Sequence, residues 1–570
     1  MTFRVHLSPC TVSPLFRMAT NAKTSPSPTG LKRSIQSGHT MIQHANLQGA
    51  APWLGCKLQD APSELQKSLA LCNRTHKPLV YQRRATVLAL REEQRLNWYS
   101  YFEEVAAIES EVRPFFEAPS KEKEALEDDA LAQLSFQSEW LRPVNHVPFA
   151  VAIVAFFKVW AVPFMTVLTP ILSIILPYLL LKYVYALPIN QAQFKEILQG
   201  LWSGNPFDPE KGISSLWSGR SMFQMILFAF SFLQSLVQPV QNAMHLYKTD
   251  KVFYGIGRQL VRLSHLVQKF RTDLGRLNGP HVKLSHTLQD IANLDYRAAF
   301  MLIKEQPERL WIVLRDLARL EVLWRIAEKE ELQPVRFTAS EFVLDEAVDI
   351  SLGGAAAQAS SLQLGLKDGP AHAVLTGPNG GGKSSFLRAV LQSVLFGQSY
   401  GMAPSKGGAG IQMPFFGWIA SGLQLRDTPG ELSMFETEVK FAADTLSMQA
   451  SPYGPGLLLF DELFHSTNPP DGIRTAEKFL RAVWEKTEMF SIVSTHVFSL
   501  IESAPSNVAP ICCQAAVTEK GDISFSYRVE PGICRVSSVE KVWKRFGLAA
   551  GGARPVAAVQ TLPSEENHAV

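Results

Sequence analysis

The chain has 570 residues, enough for roughly three or four domains at about 150 residues each, which excludes a single small module. Lys and Arg number 55 against 52 Asp and Glu, a formal charge of +3, so a nucleic-acid coat protein of the histone or ribosomal kind is excluded and any polyanion contact must be local. The six cysteines form no Cys-x-x-Cys pair and have no histidine at zinc-finger spacing, so neither a disulfide framework nor a structural metal site is suggested.

The first acidic residue is Asp60, and the stretch before it carries Arg4, Arg17, Lys23, Lys32, Arg33 and Lys57 among many Ser and Thr. Such a start resembles an organelle transit peptide, a disordered basic arm, or an extension ahead of a second start at Met18; in each case residues 1–40 are expected to stand outside a fold. Residues 41–146 form a helical region, with Leu, Glu, Ala and Arg dominating from Leu79 to Leu141.

Charged residues are only 19% of the chain, and the apolar excess is concentrated between residues 147 and 250. From Val147 to Leu181 the only formal charge is Lys158. One helix over that run would reach about 52 Å against a hydrocarbon core of about 30 Å, so it must tilt, break or turn back, and Pro163, Pro170 and Pro177 offer the breaks. A second uncharged run, Ser221–Tyr247, suits one crossing, and the loop between them repeats LWSG with Trp202 and Trp217 at interfacial positions. The expectation is a membrane-spanning region, multi-pass or re-entrant; the alternative is two buried helices of a large helical core. Residues 251–335 read as a helical arm, where Ile256, Leu260, Leu263, Val267, Phe270 and Leu274 keep the spacing of a short a/d seam, suited to a packed arm or a brief dimer contact.

The sharpest signal is AVLTGPNGGGKSSFLRAV. A short apolar strand, Ala373–Leu375, leads into Gly377, Pro378, Asn379, Gly380, Gly381 and Gly382, then into a helix opening with Lys383, Ser384 and Ser385: the strand–turn–helix context of G-x-x-x-x-G-K-[S/T]. Glycines let successive backbone N–H groups face phosphate oxygens, Lys383 can reach the β- and γ-phosphates of ATP, and Ser384 can ligate Mg²⁺. Further on, GLLLFDEL delivers Asp461 and Glu462 at the end of an apolar run, placing Asp461 at the Mg²⁺ shell and Glu462 where it can polarise water. The strand Met489–Val493 ends in Ser494–Thr495–His496, putting His496 within reach of a γ-phosphate.

These segments resemble the MutS mismatch-repair ATPases. TGPNGGGKSS is similar to the family's TGPNMGGKST, FDEL to MDEI, STH to ATH, GELSMFETEV to the STFMVEM signature with Ser433, Phe435 and Glu438 matching, and YRVEPGICRVSS to its Y-K-V-x-x-G segment. The resemblance covers about Asp316 to Gly551. It implies an α/β P-loop NTPase domain of ABC type over 336–550; the apolar runs and helical composition upstream place an all-α region with transmembrane helices before it, and the polar end of the chain is expected to be a disordered tail, 551–570. The resemblance also implies a homodimer, or a heterodimer with a related ATPase, in which Ser433 approaches the γ-phosphate across the interface and His496 is the switch histidine. Catalysis would rest on Lys383, Glu462 and His496. The signature is not of the LSGGQ type, which disfavours a transporter subunit.

The departures are informative. FHSTNPPDG stands in place of the family's GRGTSTYDG. Upstream F-x-E matches at Phe102–Glu104, Phe115–Glu117 and Phe194–Glu196 lie in helical or apolar stretches that suit no base-reading wedge. Two functions follow: a DNA-dependent ATPase whose nucleotide state opens and closes a clamp on double-stranded DNA, in mismatch or related repair; or a membrane-anchored motor acting on a membrane partner or a DNA tether.

Overall fold

The computed structural model describes residues 36–543 apart from 72–76, 94–97, 118–130, 137, 148, 187, 196–218, 278–282, 354–356, 366–368, 408–409, 426–431, 450, 518–522 and 540–541. Most of the N-terminal arm, the LWSG repeats and the C-terminal tail lie outside the described residues.

Helices come first along the chain: α1 (Gly38–His44), α2 (Ala50–Leu54), α3 (Ala61–Ala70), α4 (Lys77–Glu92), α5 (Trp98–Phe116), α6 (Ala150–Phe156), α7 (Val162–Leu179), α8 (Gly219–Arg276), α9 (Tyr296–Glu305) and α10 (Glu308–Glu328). Strands and helices then alternate: β1 (Leu332–Pro334), β2 (Arg336–Phe337), β3 (Glu341–Ala347), β4 (Ser360–Gly365), β5 (His372–Thr376), α11 (Lys383–Tyr400), β6 (Met402–Pro404), β7 (Gln412–Met413) and β8 (Trp418–Gly422). The order closes with α12 (Met434–Ser447), β9 (Gly456–Phe460), α13 (Pro469–Trp484), β10 (Met489–Ser494), α14 (Phe498–Glu502), β11 (Val508–Val517) and β12 (Ile523–Pro531). A mixed α/β C-terminal part thus follows a helical N-terminal part. The chain divides into two compact units: Gly55–Glu64 with Thr86–Arg325, and Met1–Leu54 with Leu65–Ala85 and Ile326–Val570. The helical region 41–146 is therefore shared between them.

In the first of these units α8 runs for 58 residues. All six residues of its expected seam are buried, and Phe270 meets Trp98 and Phe102 of α5 at ring-centroid distances of 5.1 and 4.9 Å. Phe102 also stacks on Trp324 at 5.1 Å and is fully buried, so it has no freedom to act as an intercalating wedge. The seam is consumed inside its own unit. The apolar run from Ala150 to Val184 does not break at its prolines; it stays helical, with π-helical turns at Phe157–Ala161 and Leu180–Val184 joining α6 and α7 and ending α7. Of the described residues, one helix, Ala150–Leu172, is long and apolar enough to cross a membrane. The second expected crossing, Ser221–Tyr247, is the start of α8, several of whose side chains fall outside the described residues. A multi-pass arrangement therefore has no support beyond a single mostly exposed helix.

The other unit holds a six-stranded sheet in the order β12-β11-β5-β10-β9-β8. Strands β8, β9, β10, β5 and β11 are parallel and β12 is antiparallel to β11. Covered on both faces, the central strands read as unbroken apolar runs: Leu457–Phe460 and Ala373–Leu375 are no more than 1% exposed. A four-stranded sheet, β2-β7-β3-β4, and the pair β1-β6 complete the unit. The edge strand β8 is covered from the N-terminal side of the chain, where Gln36 accepts from Ser421 N at 3.0 Å and donates to Ser421 O at 2.7 Å.

Candidate functional site

Parallel strands deliver their carboxyl ends to one edge of the sheet, and the side chains that gather there come from β5, β9 and β10. After β5 the chain turns through Gly377 (φ 146°), Gly380 (φ 77°) and Gly382 (φ 105°), left-handed conformations that a side chain would strain. Gly377 is confined further: a Cβ there would come to 3.0 Å from Cys513 Cβ and O on β11. Gly382 caps α11, and the turn closes through Gly381 N donating to Pro378 O at 3.0 Å.

Lys383, 4% exposed, folds its ammonium back over this turn. Its Nζ donates to Gly377 O at 3.0 Å, Pro378 O at 3.3 Å and Asn379 Oδ1 at 3.4 Å, and lies 3.9 Å from Glu462 Oε1. Burial pulls its pKa down, with Glu462 and Asp461 pulling the other way. The next residue, Ser384, donates its hydroxyl to Asp461 Oδ2 in a short contact, which ties the start of α11 to the end of β9. Ser385 faces elsewhere, meeting Arg388 at 3.0 Å, and Arg388 is in turn held by Asp349 at 2.9 Å.

Glu462 has φ 52° and Phe464 φ 50°, two side-chain-bearing residues in the left-handed region directly after β9. Ser494, ending β10, holds this corner: its hydroxyl donates to Asp461 Oδ1 at 2.5 Å and accepts from Glu462 N at 2.8 Å. His496 Nε2 lies 3.2 Å from Glu462 Oε1 and 3.4 Å from Lys383 Nζ. The hydrogen bond with His496 is the main cause holding the Glu462 carboxyl below its usual range, so Glu462 is ionised at neutral pH. Lys383, Ser384, Asp461, Glu462 and His496, five residues spread over 114 positions of sequence, thus form one cluster with Asn379 at its rim.

Ser433 stands apart from this cluster. It is the N-cap of α12 in a capping box, accepting from Glu436 N at 3.3 Å while its own N–H and hydroxyl donate to Glu436 Oε2 at 2.8 and 2.9 Å. Among the described residues no hydrogen bond joins it to Lys383 or Glu462. Two residues that the sequence marked only as members of a motif gain partners and a role. Ser494 is one, readable only as the residue two before His496. The other is Glu438, 1% exposed on α12, which accepts from Ser466 Oγ at 2.6 Å and lies 3.2 Å from His465 Nδ1. His465 Nδ1 is also 2.9 Å from Glu462 O, so α12 is tied to the loop that carries Glu462. Phe435 adds a ring contact with Phe464 at 6.3 Å.

The described residues contain no group of three His, Cys, Asp or Glu side chains fit to hold a metal by themselves. The two oxygen donors that meet at the turn, Ser384 Oγ and the Asp461 carboxylate, suit a hard cation that takes its remaining ligands from phosphate and water. Cys512 and Cys513 behave as inert core thiols, pushed up to about 12 by burial.

Fold and site together define an α/β protein whose polar cluster is assembled by a glycine turn and two parallel strand ends. Residues 373–550 match the family model of MutS domain V. The chain is 25% identical over 300 residues to the DNA mismatch repair protein MutS of Streptococcus pneumoniae serotype 19F, an alignment covering 50% of this chain and 34% of that protein. It is 25% identical over 242 residues to the MutS of Leuconostoc mesenteroides, covering 40% and 27%, and 25% identical over 300 residues to the DNA mismatch repair protein HexA of Streptococcus pneumoniae serotype 4, covering 50% and 34%. In its C-terminal part the chain is a divergent relative of the MutS family. The aligned region spans about a third of the length of these curated relatives.

Proposed function

We propose that residues 336–550 form a P-loop NTPase domain of ABC type that binds and hydrolyses ATP, and that this turnover opens and closes a homodimer, or a heterodimer with a related ATPase, on double-stranded DNA in mismatch or related repair. The observation that carries the proposal is the convergence of Lys383, Ser384, Asp461, Glu462 and His496 on one glycine turn. The backbone N–H groups of Gly380 and Gly382 and the amino end of α11 would cradle the phosphates. Lys383 would exchange its carbonyl partners for β- and γ-phosphate oxygens. Ser384 and Asp461 would hold Mg²⁺, which when bound neutralises charge on those oxygens. Glu462, ionised and oriented by His496, would accept a hydrogen bond from the attacking water, with His496 facing the γ-phosphate. Ser433, exposed at the amino end of α12, would meet the nucleotide of a partner protomer.

Site variants test the reading. Lys383→Ala loses charge-assisted bonds worth roughly 1.5–3 kcal/mol, so ATP affinity should fall by about 10- to 150-fold. Glu462→Ala should keep ATP binding, abolish turnover and accumulate dimer. Wild-type hydrolysis rates in either variant would remove the assignment.

A second reading is favoured by a separate observation, the exposure of Phe149, Phe156, Trp160, Phe164, Ile226 and Phe230 on and beside the apolar helices. It makes the chain a membrane-anchored motor acting on a membrane partner or a DNA tether. Recovery of the full-length protein in a detergent-free soluble fraction would refute it.

A further inference from the structure

From Lys248 to Arg276 helix α8 has two faces of opposite character. One is the buried seam that packs on α5. The other exposes Lys248, Lys251, Arg258, Arg262, Lys269 and Arg276, at separations of 3, 7, 4, 7 and 7 residues, which is the repeat of a single helix face. The stripe is about 42 Å long at 1.5 Å per residue. The two carboxylates of this stretch do not stand on it as free charges: Asp250 is engaged by Arg297 through two bonds of 2.7 Å, and Asp273 is 7% exposed beside Arg276. From the neighbouring α5, Glu104 meets Arg262 at 2.7 Å and Glu111 meets Gln259 at 2.5 Å. Three carboxylates, Glu104, Glu111 and the Asp273 beside Arg276, therefore offset six cations, in a chain whose overall charge is nearly balanced. A solvated helix face normally mixes signs. Midway, Gly255 contributes no side chain, and a cleft of about 390 Å³ opens beside Arg258, Arg262 and Glu111.

The length of the stripe selects its partner. Helix α8 begins in the apolar run ending at Tyr247, so a bilayer holding that run would present headgroups at Lys248 and Lys251. Arg258 and Arg276 would then stand about 15 and 42 Å further along the axis, beyond the screening length of about 8–10 Å. A rod-shaped polyanion has no such limit, since duplex DNA carries one charge per about 1.7 Å of its axis. We propose that this face of α8 is the surface on which the phosphate backbone of double-stranded DNA lies. The inference rests on the DNA-binding reading above and adds where the DNA sits and that its binding is independent of sequence, because a row of ammonium and guanidinium groups on a packed helix reads charge and not base edges.

The test uses detergent-purified full-length protein and a short labelled duplex in a salt series, comparing wild type with the triple variant Lys251→Gln, Arg258→Gln, Lys269→Gln. These side chains are exposed and far in sequence from the ATP cluster, so folding, checked by circular dichroism, and DNA-free ATP hydrolysis should be unchanged. The slope of log affinity against log salt should fall by about 2.7, or about 0.9 for each phosphate no longer neutralised, with affinity at low salt down at least about 100-fold. Equal slopes and affinities for a DNA-binding wild type and the variant would overturn the stripe alone. A wild type that binds no duplex at any salt would overturn the DNA reading itself. A variant that keeps DNA binding but no longer sediments with vesicles containing anionic lipid would assign the stripe to a membrane surface instead.

Discussion

His372 opens β5, the strand that feeds the glycine turn, and it makes the turn's support sensitive to acid. The ring is fully buried, with Nδ1 2.9 Å from Ser491 Oγ on the paired residue of β10. Burial pushes its pKa from 6.5 down to about 4, partly offset by the Lys486 backbone. The folded state therefore holds a neutral imidazole. As pH falls through 6.5 the unfolded chain takes up the proton first, so the stability contributed by the neutral ring is complete above that value and is lost as pH falls toward 4. At about 1.36 kcal/mol per pKa unit the whole window is worth about 3 kcal/mol, of which about 2 kcal/mol is gone near pH 5. The assay is urea unfolding of wild type and His372→Gln between about pH 7.5 and pH 5. Other titrating groups cancel in the comparison, so the wild type should lose about 2 kcal/mol more than the variant across that range. Parallel pH profiles for the two proteins would refute the reasoning.

Two further substitutions probe the cluster. Gly377→Ala puts a side chain at φ 146° against Cys513, at a cost of about 1–3 kcal/mol, and should lower both the thermal midpoint and nucleotide affinity measured with a fluorescent ATP analogue. Glu438→Ala strips the buried partner from Ser466 and His465, with an expected loss of about 1–3 kcal/mol read by thermal unfolding and a reduced ATP turnover. Because burial raises the Glu438 pKa, the neutral analogue Glu438→Gln should recover most of the stability.

Much of the α/β part could be read from the chain. The runs at Ala373–Leu375, Leu457–Phe460 and Met489–Val493 are apolar enough to be covered on both faces, and parallel strands of that kind present their ends together. The Gly377–Lys383 spacing marked the turn between strand and helix. The roles of Ser494 and Glu438 were harder to read, because their places in the STH and GELSMFETEV segments do not say which side chains they meet. Their roles exist only through Asp461, Glu462 and Ser466, which approach across chain separations of 28 to 33 residues. The seam of α8 shows the opposite failure. Its 3-4 spacing was legible, but spacing does not say whether the opposing face belongs to another chain or to α5.

What the sequence determined by itself was local: which runs are apolar, where glycine frees the backbone, and which carboxylates follow a strand, since each of these depends on neighbours a few residues away. The tertiary structure decided what those pieces meet. It spends the α8 seam on Trp98 and Phe102, keeps Ala150–Val184 helical through its prolines, covers β8 with Gln36, and gathers five polar side chains at one end of a sheet. These are pairings between distant segments, fixed by the burial of complementary surfaces, which a local pattern can permit but cannot select.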